Sequence, residues 1–148
     1  MRIYTRKGDD GSTGLFYGGR VSKDGFAPET YGTVDEAVAV LGVARAAADG
    51  DMADQILRLQ RDLFVVAAEL ATLPENRSKL EDGVSRVTQR MVEALEAAID
   101  SIVGEVGLPA EFVVPGGSVP GGAIDVARTV VRRAERRAVS YAAAGGLD

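Results

Sequence analysis

The strongest constraint on the fold is a segment near the end of the chain, residues 124–138, in which apolar side chains recur at intervals of three and four. Residues at this spacing share one face of an α-helix, so the segment predicts an amphipathic helix that buries that face. The apolar face comprises Ile124, Ala127, Val131, Ala134 and Ala138. The same segment carries five of the 17 basic residues, namely Arg128, Arg132, Arg133, Arg136 and Arg137.

Arg128, Arg132 and Arg136 recur every four residues and form a stripe beside that apolar face. A guanidinium group keeps its charge and offers a planar fork of donors, which suits phosphate oxygens. The stripe therefore has two interpretations. It is one wall of a phosphate site at the edge of the core, or it is a solvated basic face with local ion pairs to residues such as Glu135.

Apolar residues at helical spacing mark three earlier segments, which glycine and proline separate. The four predicted helices span residues 33–49, 51–70, 79–106 and 121–144. Capping boxes at 33–36 and 78–81 are expected to open the first and third of them. Long helices with short connections predict an all-α antiparallel bundle in one domain over 1–148, with an N-terminal arm at 1–32 and the bundle at 33–148.

The chain contains no cysteine and no histidine. This excludes disulfides, thiolate or imidazole metal sites, Cys or His nucleophiles and histidine general-base catalysis. A net charge of −5 argues against general nucleic-acid binding. The N-terminus lacks the apolar core of a signal peptide and no apolar run reaches about 18 residues, so we expect a cytoplasmic protein without a membrane span.

The N-terminal arm is rich in glycine, hydroxyl groups and cations, above all in residues 5–14. Backbone N–H groups of such a loop can converge on phosphate oxygens while Lys7 or Lys23 neutralises charge, and Asp9 or Asp10 can hold a magnesium ion. The spacing does not match a Walker loop. A mobile tail is the alternative interpretation.

Two further residues have a structural and a functional interpretation. Asp35 is predicted in the first turn of its helix, where the dipole stabilises a carboxylate, or as a charge partner that orients Arg128 across the bundle. Phe112 lies beside a Pro-Gly-Gly sequence and is either a core anchor or an apolar wall of a binding cleft.

Four blocks in this order resemble the PduO-type ATP:cob(I)alamin adenosyltransferases: residues 4–15, 31–36, 62–72, and 112–117 leading to 127–136. The resemblance implies displacement by Co(I) at the 5′ carbon of ATP, which gives adenosylcobalamin and triphosphate. It implies a homotrimer of helical bundles with ATP and cobalamin bound near subunit interfaces. It also implies Mg²⁺ as a cofactor, and a cobalamin reductase and a cobalamin-dependent acceptor enzyme as partners.

The resemblance assigns roles residue by residue. In the arm it implies ATP binding by Thr5, Arg6, Lys7, Gly8, Thr13, Gly14 and Lys23. In the last helix it implies ATP binding by Arg132, Arg133, Glu135 and Arg136. It implies a catalytic salt bridge between Asp35 and Arg128, and a role for Phe112 in displacing the lower axial ligand of cobalamin.

The chain departs from the family pattern at two places. Asp125 follows Ile124 where the family commonly has Leu-His, and Ala37 and Val38 follow Glu36 where it commonly has Leu-Asn. The family also carries a further C-terminal helix that completes the nucleotide site, whereas this sequence ends at Asp148. The alternative functions are therefore an ATP- or corrinoid-binding homologue without turnover, and an interaction bundle with solvated arginines.

Overall fold

The structure, a computed structural model, describes residues 3–147 and is almost entirely helical. Its four α-helices are α1 (Phe26–Ala46), α2 (Gly50–Leu70), α3 (Gln89–Val106) and α4 (Val119–Ala143). A small antiparallel hairpin, β1 (Ser12–Gly14) and β2 (Arg20–Ser22), precedes them, and a 3-10 helix spans Pro74–Lys79. The predicted all-α fold is confirmed. None of the described helices is both long and apolar enough to span a bilayer.

Helix α1 is the centre of the bundle and packs against α4 and α2. The first half of α1 meets the second half of α4, where Val34 shares a cluster with Ala134 and Tyr141. At the other end Ala44 shares a cluster with Ala127. The two helices are therefore antiparallel. Alanines at these contacts let the backbones approach closely, because they add little side-chain volume.

Helix α1 begins at Phe26, so the predicted start at Thr33 is wrong. Pro28 lies in the first turn, where an N–H has no partner within the helix, and the Glu29 N–H already donates to the Gly25 carbonyl at 3.1 Å. The Thr33 hydroxyl donates back to the Glu29 carbonyl at 2.6 Å and caps nothing. Consequently Asp35 lies beyond the first turn, and the arm predicted at 1–32 ends inside a helix.

Helix α3 begins at Gln89, ten residues after the predicted start at Lys79. Ser78 lies inside the 3-10 helix, so it does not open α3 as the capping box predicted. Gly83 has a φ of +73°, and the Glu81 carbonyl accepts the N–H groups of three following residues in a tight turn. This turn replaces the first part of the predicted helix.

The other predictions for the helices are confirmed. Helix α2 follows the turn at Asp49, and α4 covers nearly the predicted residues. The Ser118 side chain caps α4 by accepting the Gly121 N–H at 3.1 Å. Residues 108–117 are not helical, as the two prolines and the paired glycines predicted.

Candidate functional site

The N-terminal arm is folded around Gly8 and Lys23, two of the residues predicted to bind ATP. The Lys23 ammonium group donates to the Gly8 carbonyl at 2.6 Å, and the Lys23 N–H donates to the Gly11 carbonyl at 2.9 Å. A Cβ atom on Gly8 would lie 2.9 Å from the Ser12 carbonyl oxygen. The close approach requires glycine at this position. From residue 8 onward the arm therefore forms a hydrogen-bonded loop.

The remaining arm residues predicted to bind ATP divide into an exposed and a paired set. Thr5, Arg6 and Lys7 are exposed, and the Lys7 N–H lies 3.4 Å from the Thr5 hydroxyl. Thr13 and Gly14 belong to β1, where their partners in β2 are Val21 and Arg20. The Arg6 guanidinium group lies over the Tyr4 ring, 5.5 Å from its centroid, so among the described residues the exposed set interacts only with neighbouring residues of the arm.

Arg20 and Asp10 form the polar centre of this loop. The Asp10 carboxylate accepts both the N–H of Ser12, at 2.9 Å, and its hydroxyl, at 2.7 Å. Arg20 lies 3.7 Å from the same carboxylate oxygen. The Ser12 hydroxyl is the largest of the effects that lower the pKa of Asp10 from its ordinary value of 3.8.

The turn of the hairpin is anchored to the connection between α2 and α3. The Phe16 N–H donates to the Ala71 carbonyl at 2.9 Å. Lys79 and Asn76, at the 3-10 helix, approach the carbonyls of Tyr17 and Gly18 at 3.4 and 3.5 Å. The hairpin is thus held at the end of the bundle where α1 begins and α2 ends.

The arginines of α4 lie on two different faces. Arg133 pairs with Glu36. Arg137 pairs with Glu29, with Nη2 and Oε1 3.1 Å apart. Both pairs join α4 to α1. The predicted local pairs to Glu135 are not among the ion pairs of residues 3–147. Arg133 therefore occupies a position that serves helix packing, whatever its role toward ATP.

Arg128 and Arg132 instead line a groove of about 650 Å³ between α2, α3 and α4. Asp62 is the other charged residue at this groove. The apolar lining residues are Leu41, Leu59, Leu63, Val66, Val87, Met91, Val92, Leu95, Ile124, Ala127 and Val131. The groove thus joins an apolar wall to two guanidinium groups, an arrangement suited to a ligand with apolar and anionic parts. Arg136, the third member of the stripe, is exposed and donates to the Arg132 carbonyl at 2.9 Å.

Asp35 and Arg128 do not meet within one copy of the chain. Arg128 pairs with Asp125, one turn earlier in α4, with Nε and Oδ1 3.5 Å apart. Asp35 lies exposed on α1. The predicted salt bridge is therefore absent from the single described chain.

The model of the cobalamin adenosyltransferase family matches residues 3–146. The chain belongs to this family. It is 40% identical to a corrinoid adenosyltransferase of Citrobacter freundii over 136 residues, which cover 91% of this chain and 76% of the relative. It is 37% identical to a corrinoid adenosyltransferase of Bacillus subtilis over 145 residues, covering 95% of this chain and 72% of the relative.

Solved structures agree with this assignment. A variant of the PduO-type ATP:corrinoid adenosyltransferase from Lactobacillus reuteri, complexed with cobalamin and ATP, matches with a TM-score of 0.82. The identity is 28%, and the match covers 94% of this chain and 75% of the other. The resemblance to PduO-type adenosyltransferases, predicted from four blocks of sequence, is confirmed.

Phe112 in this family member is fully exposed within the connection between α3 and α4. The interpretation as a core anchor is therefore wrong. Val113 and Val114 beside it are also exposed. The connection enters α4 at the end of the bundle opposite the hairpin, so Phe112 is displayed at a different end from the arm.

Two features of this adenosyltransferase-family site were missed in the sequence. Arg20 holds the arm loop, but its pattern in the sequence is that of an ordinary strand residue. Asp62 lines the groove with Arg128 and Arg132. It lies in one of the four blocks that resemble the family, and this position in the sequence could have identified it as a candidate site residue. Within residues 3–147, no group of three or more acidic side chains can hold a metal ion.

Proposed function

We propose that this chain is an ATP:cob(I)alamin adenosyltransferase, which transfers the 5′-deoxyadenosyl group of ATP to the cobalt of cob(I)alamin. The observation that carries the proposal is the position of Arg128 and Arg132 at an apolar groove, in a chain that belongs to the cobalamin adenosyltransferase family. The structural relative from Lactobacillus reuteri contains cobalamin and ATP together. Both ligands are therefore assigned to this chain as substrates.

The reaction is an in-line displacement. A cobalt–carbon bond forms at the 5′ carbon as its bond to oxygen breaks, and triphosphate leaves with that electron pair. The nucleophile belongs to the substrate, which accords with a chain that has neither cysteine nor histidine. The chain contributes position and charge, because arginines at the triphosphate stabilise the charge that develops on the leaving group.

ATP binding is assigned to both the arm and α4. Thr5, Arg6 and Lys7 have exposed side chains in the arm. Arg132 and Arg136 extend from α4 on the stripe side. Gly8, Thr13, Gly14 and Lys23 shape the loop, and Arg133 and Glu135 are assigned to the same ATP site through the family pattern.

The two ends of the bundle support a site built from more than one copy of the chain. Helix α1 has 21 residues and is therefore about 32 Å long. The arm lies at the N-terminal end of α1, whereas the connection that carries Phe112 lies at its C-terminal end. We therefore propose a homotrimer in which the arm of one copy faces the Phe112 end of its neighbour.

The Asp35–Arg128 pair fits the same arrangement. Asp35 is exposed and Arg128 has 57% of its side chain accessible, so both can meet a neighbouring copy. In the proposed trimer this pair joins two subunits and fixes Arg128 at the reacting centre. Phe112 supplies an exposed apolar ring that can press on the corrinoid and displace its lower axial ligand.

Mg²⁺ fits the residues of the arm as an ion held mainly by phosphate oxygens. Asp10 is committed to Ser12 and Arg20, which leaves the exposed Asp9 as the nearby carboxylate of the loop. Magnesium commonly binds through one or two carboxylates together with substrate phosphates. When bound, it would neutralise triphosphate charge.

The proposal extends to partners and location. Cob(I)alamin must be supplied by a reduction, so we assign a cobalamin reductase as one partner. The product is a cofactor, so a cobalamin-dependent acceptor enzyme is the other. We place the protein in the cytoplasm, where ATP is abundant.

The proposal is tested by mixing the protein with ATP, Mg²⁺ and chemically reduced cobalamin and following adenosylcobalamin by its absorbance. Wild-type protein is expected to turn over, and Arg128→Ala and Asp35→Ala are expected to lower kcat far more than they lower Tm. Arg58→Gln, an exposed change on α2, is the matched control.

Other outcomes identify the alternatives. Binding of ATP or cobalamin without turnover would show a binding homologue, which the Asp125 pair with Arg128 would explain. Unchanged ATP binding in Arg132→Ala would favour an interaction bundle.

Phe112→Ala should reduce product formation while leaving ATP affinity nearly intact, and an equal loss of ATP affinity would contradict its assigned role.

A further inference from the structure

Arg20 is the side chain that ties the arm loop to the hairpin. It stands at the start of β2, opposite Gly14, and its side chain extends back across the hairpin. Its Nε donates to the Ser12 hydroxyl at 3.0 Å, and its Nη2 donates to the Lys7 carbonyl at 2.6 Å. One guanidinium group therefore fixes two points of the loop, five residues apart in the chain.

The bond to the Lys7 carbonyl sets the direction of the next amide group. The peptide bonds of the described residues are trans, so the Gly8 N–H points away from the Lys7 carbonyl oxygen. No hydrogen bond of residues 3–147 uses the Gly8 N–H, whereas the Asp9 N–H donates to the Arg6 carbonyl at 3.3 Å. Arg20 thus holds an unused backbone donor on the side of the loop opposite itself.

Lys23 holds the following carbonyl in the same way. Its ammonium group donates to the Gly8 carbonyl at 2.6 Å. Arg20 at the start of β2 and Lys23 just after its end therefore orient two consecutive peptide groups of the loop. A backbone N–H held in a fixed direction with no partner suits an anionic ligand oxygen.

Arg20 itself is poorly suited to bind the anion. Its Nε and Nη2 donate to Ser12 and Lys7, and the carboxylate of Asp10 lies 3.7 Å from Nη2. The charge of Asp10 offsets the positive potential of Arg20. We therefore expect the effect of Arg20 on a ligand to pass mainly through the backbone of the loop.

We propose that Arg20 is a positioning residue for ATP, which presents the Gly8 N–H to a phosphate oxygen of the nucleotide. This role rests on the proposed adenosyltransferase function, since it presumes that the arm binds ATP. It predicts a selective effect. The loss of Arg20 weakens ATP binding and leaves the cobalamin side of the reaction unchanged.

The test compares Arg20→Gln and Arg20→Lys with wild-type protein and with the control Arg58→Gln. Steady-state rates are measured against ATP and cob(I)alamin separately, and ATP affinity is measured by calorimetry without cobalamin. Arg20→Gln is expected to raise the KM and Kd for ATP about tenfold, with kcat and the KM for cob(I)alamin within twofold. Arg20→Lys should recover only part of this, because lysine lacks the planar fork that spans Ser12 and Lys7.

Amide hydrogen exchange supplies a second measurement of how firmly Arg20 holds the loop. Residues 8–11 should exchange faster in Arg20→Gln than in wild-type protein, while α1 and α4 keep their protection. ATP affinity equal to that of wild-type protein would overturn the proposal. A joint fall in kcat and Tm together with a rise in both KM values would overturn it as well. If wild-type protein binds ATP but does not turn over, the proposed function fails, and the calorimetric comparison still decides the role of Arg20.

Discussion

Arg128 pairs with Asp125 along α4, with Nε and Oδ1 3.5 Å apart, although the adenosyltransferase resemblance assigns Arg128 to Asp35. Both side chains are partly accessible, so the pair is weak and exchangeable. In the resemblance to the family pattern, Asp125 takes the place of a common histidine. This chain therefore offers Arg128 two carboxylates, one in its own helix and one that would come from a neighbouring copy.

Asp125→Asn should release Arg128 to Asp35. Because an exposed pair at this helical spacing is worth about 0.3–0.5 kcal/mol, we expect kcat to rise about twofold with little change in Tm. Steady-state turnover and thermal unfolding measure the two effects. A loss of kcat as large as that in Arg128→Ala would show instead that Asp125 is the functional partner.

Arg133→Gln should affect stability more than nucleotide binding, because Arg133 is paired with Glu36 on α1. We expect a loss of about 0.2–1 kcal/mol in the free energy of unfolding, the range of exposed ion pairs. Urea unfolding of Arg133→Gln, Glu36→Gln and the double variant measures the coupling. If Arg133→Gln raises the KM for ATP as much as Arg132→Gln does, Arg133 is a nucleotide ligand as the family pattern implies.

Local patterns predicted the helices but not all of their starts. Periodic apolar residues identified α2 and α4, whose buried residues include Ile56 and Ala134. The start of α1 was misplaced because Thr33 and Glu36 match a capping box, although the helix begins at Phe26 and its first turn tolerates Pro28. Ser78 and Glu81 match a capping box, yet Ser78 lies in the 3-10 helix and the Glu81 N–H donates to the Ser85 hydroxyl at 3.0 Å in the turn that follows.

Local patterns in the sequence likewise predicted only part of the candidate site. The spacing of Arg128 and Arg132 was sufficient to place both on one face, and they line one groove. The pairing of Arg133 with Glu36 joins residues 97 positions apart, which no local pattern reveals. Arg20 was overlooked for a similar reason, since its role arises only when the hairpin brings β2 beside the loop.

Gly8→Ala should disturb the arm loop. The added Cβ would lie 2.9 Å from the Ser12 carbonyl oxygen and 3.1 Å from Lys23 Nζ, so the loop backbone must shift. We expect ATP affinity to fall about tenfold while the helical bundle unfolds at nearly the same temperature. Calorimetry with ATP and circular dichroism measure these effects. Gly104→Ala, on α3 with open space around the new Cβ, is the control.

Ser12→Ala should raise the pKa of Asp10 toward its ordinary value of 3.8, because the Ser12 hydroxyl is the largest cause of the lowered value. A depressed pKa in the folded protein means that ionised Asp10 stabilises the arm above pH 3.8. That contribution is lost as the pH falls below 3.8 through the lower folded value. In Ser12→Ala that contribution should be smaller, and its loss should be complete at a higher pH, because the folded value then lies closer to the unchanged unfolded value of 3.8. NMR titration of the Asp10 carboxyl carbon measures the shift, with Ser101→Ala on α3 as a distant control. An unchanged Asp10 titration would show that the Ser12 N–H and Arg20 hold the carboxylate without the hydroxyl.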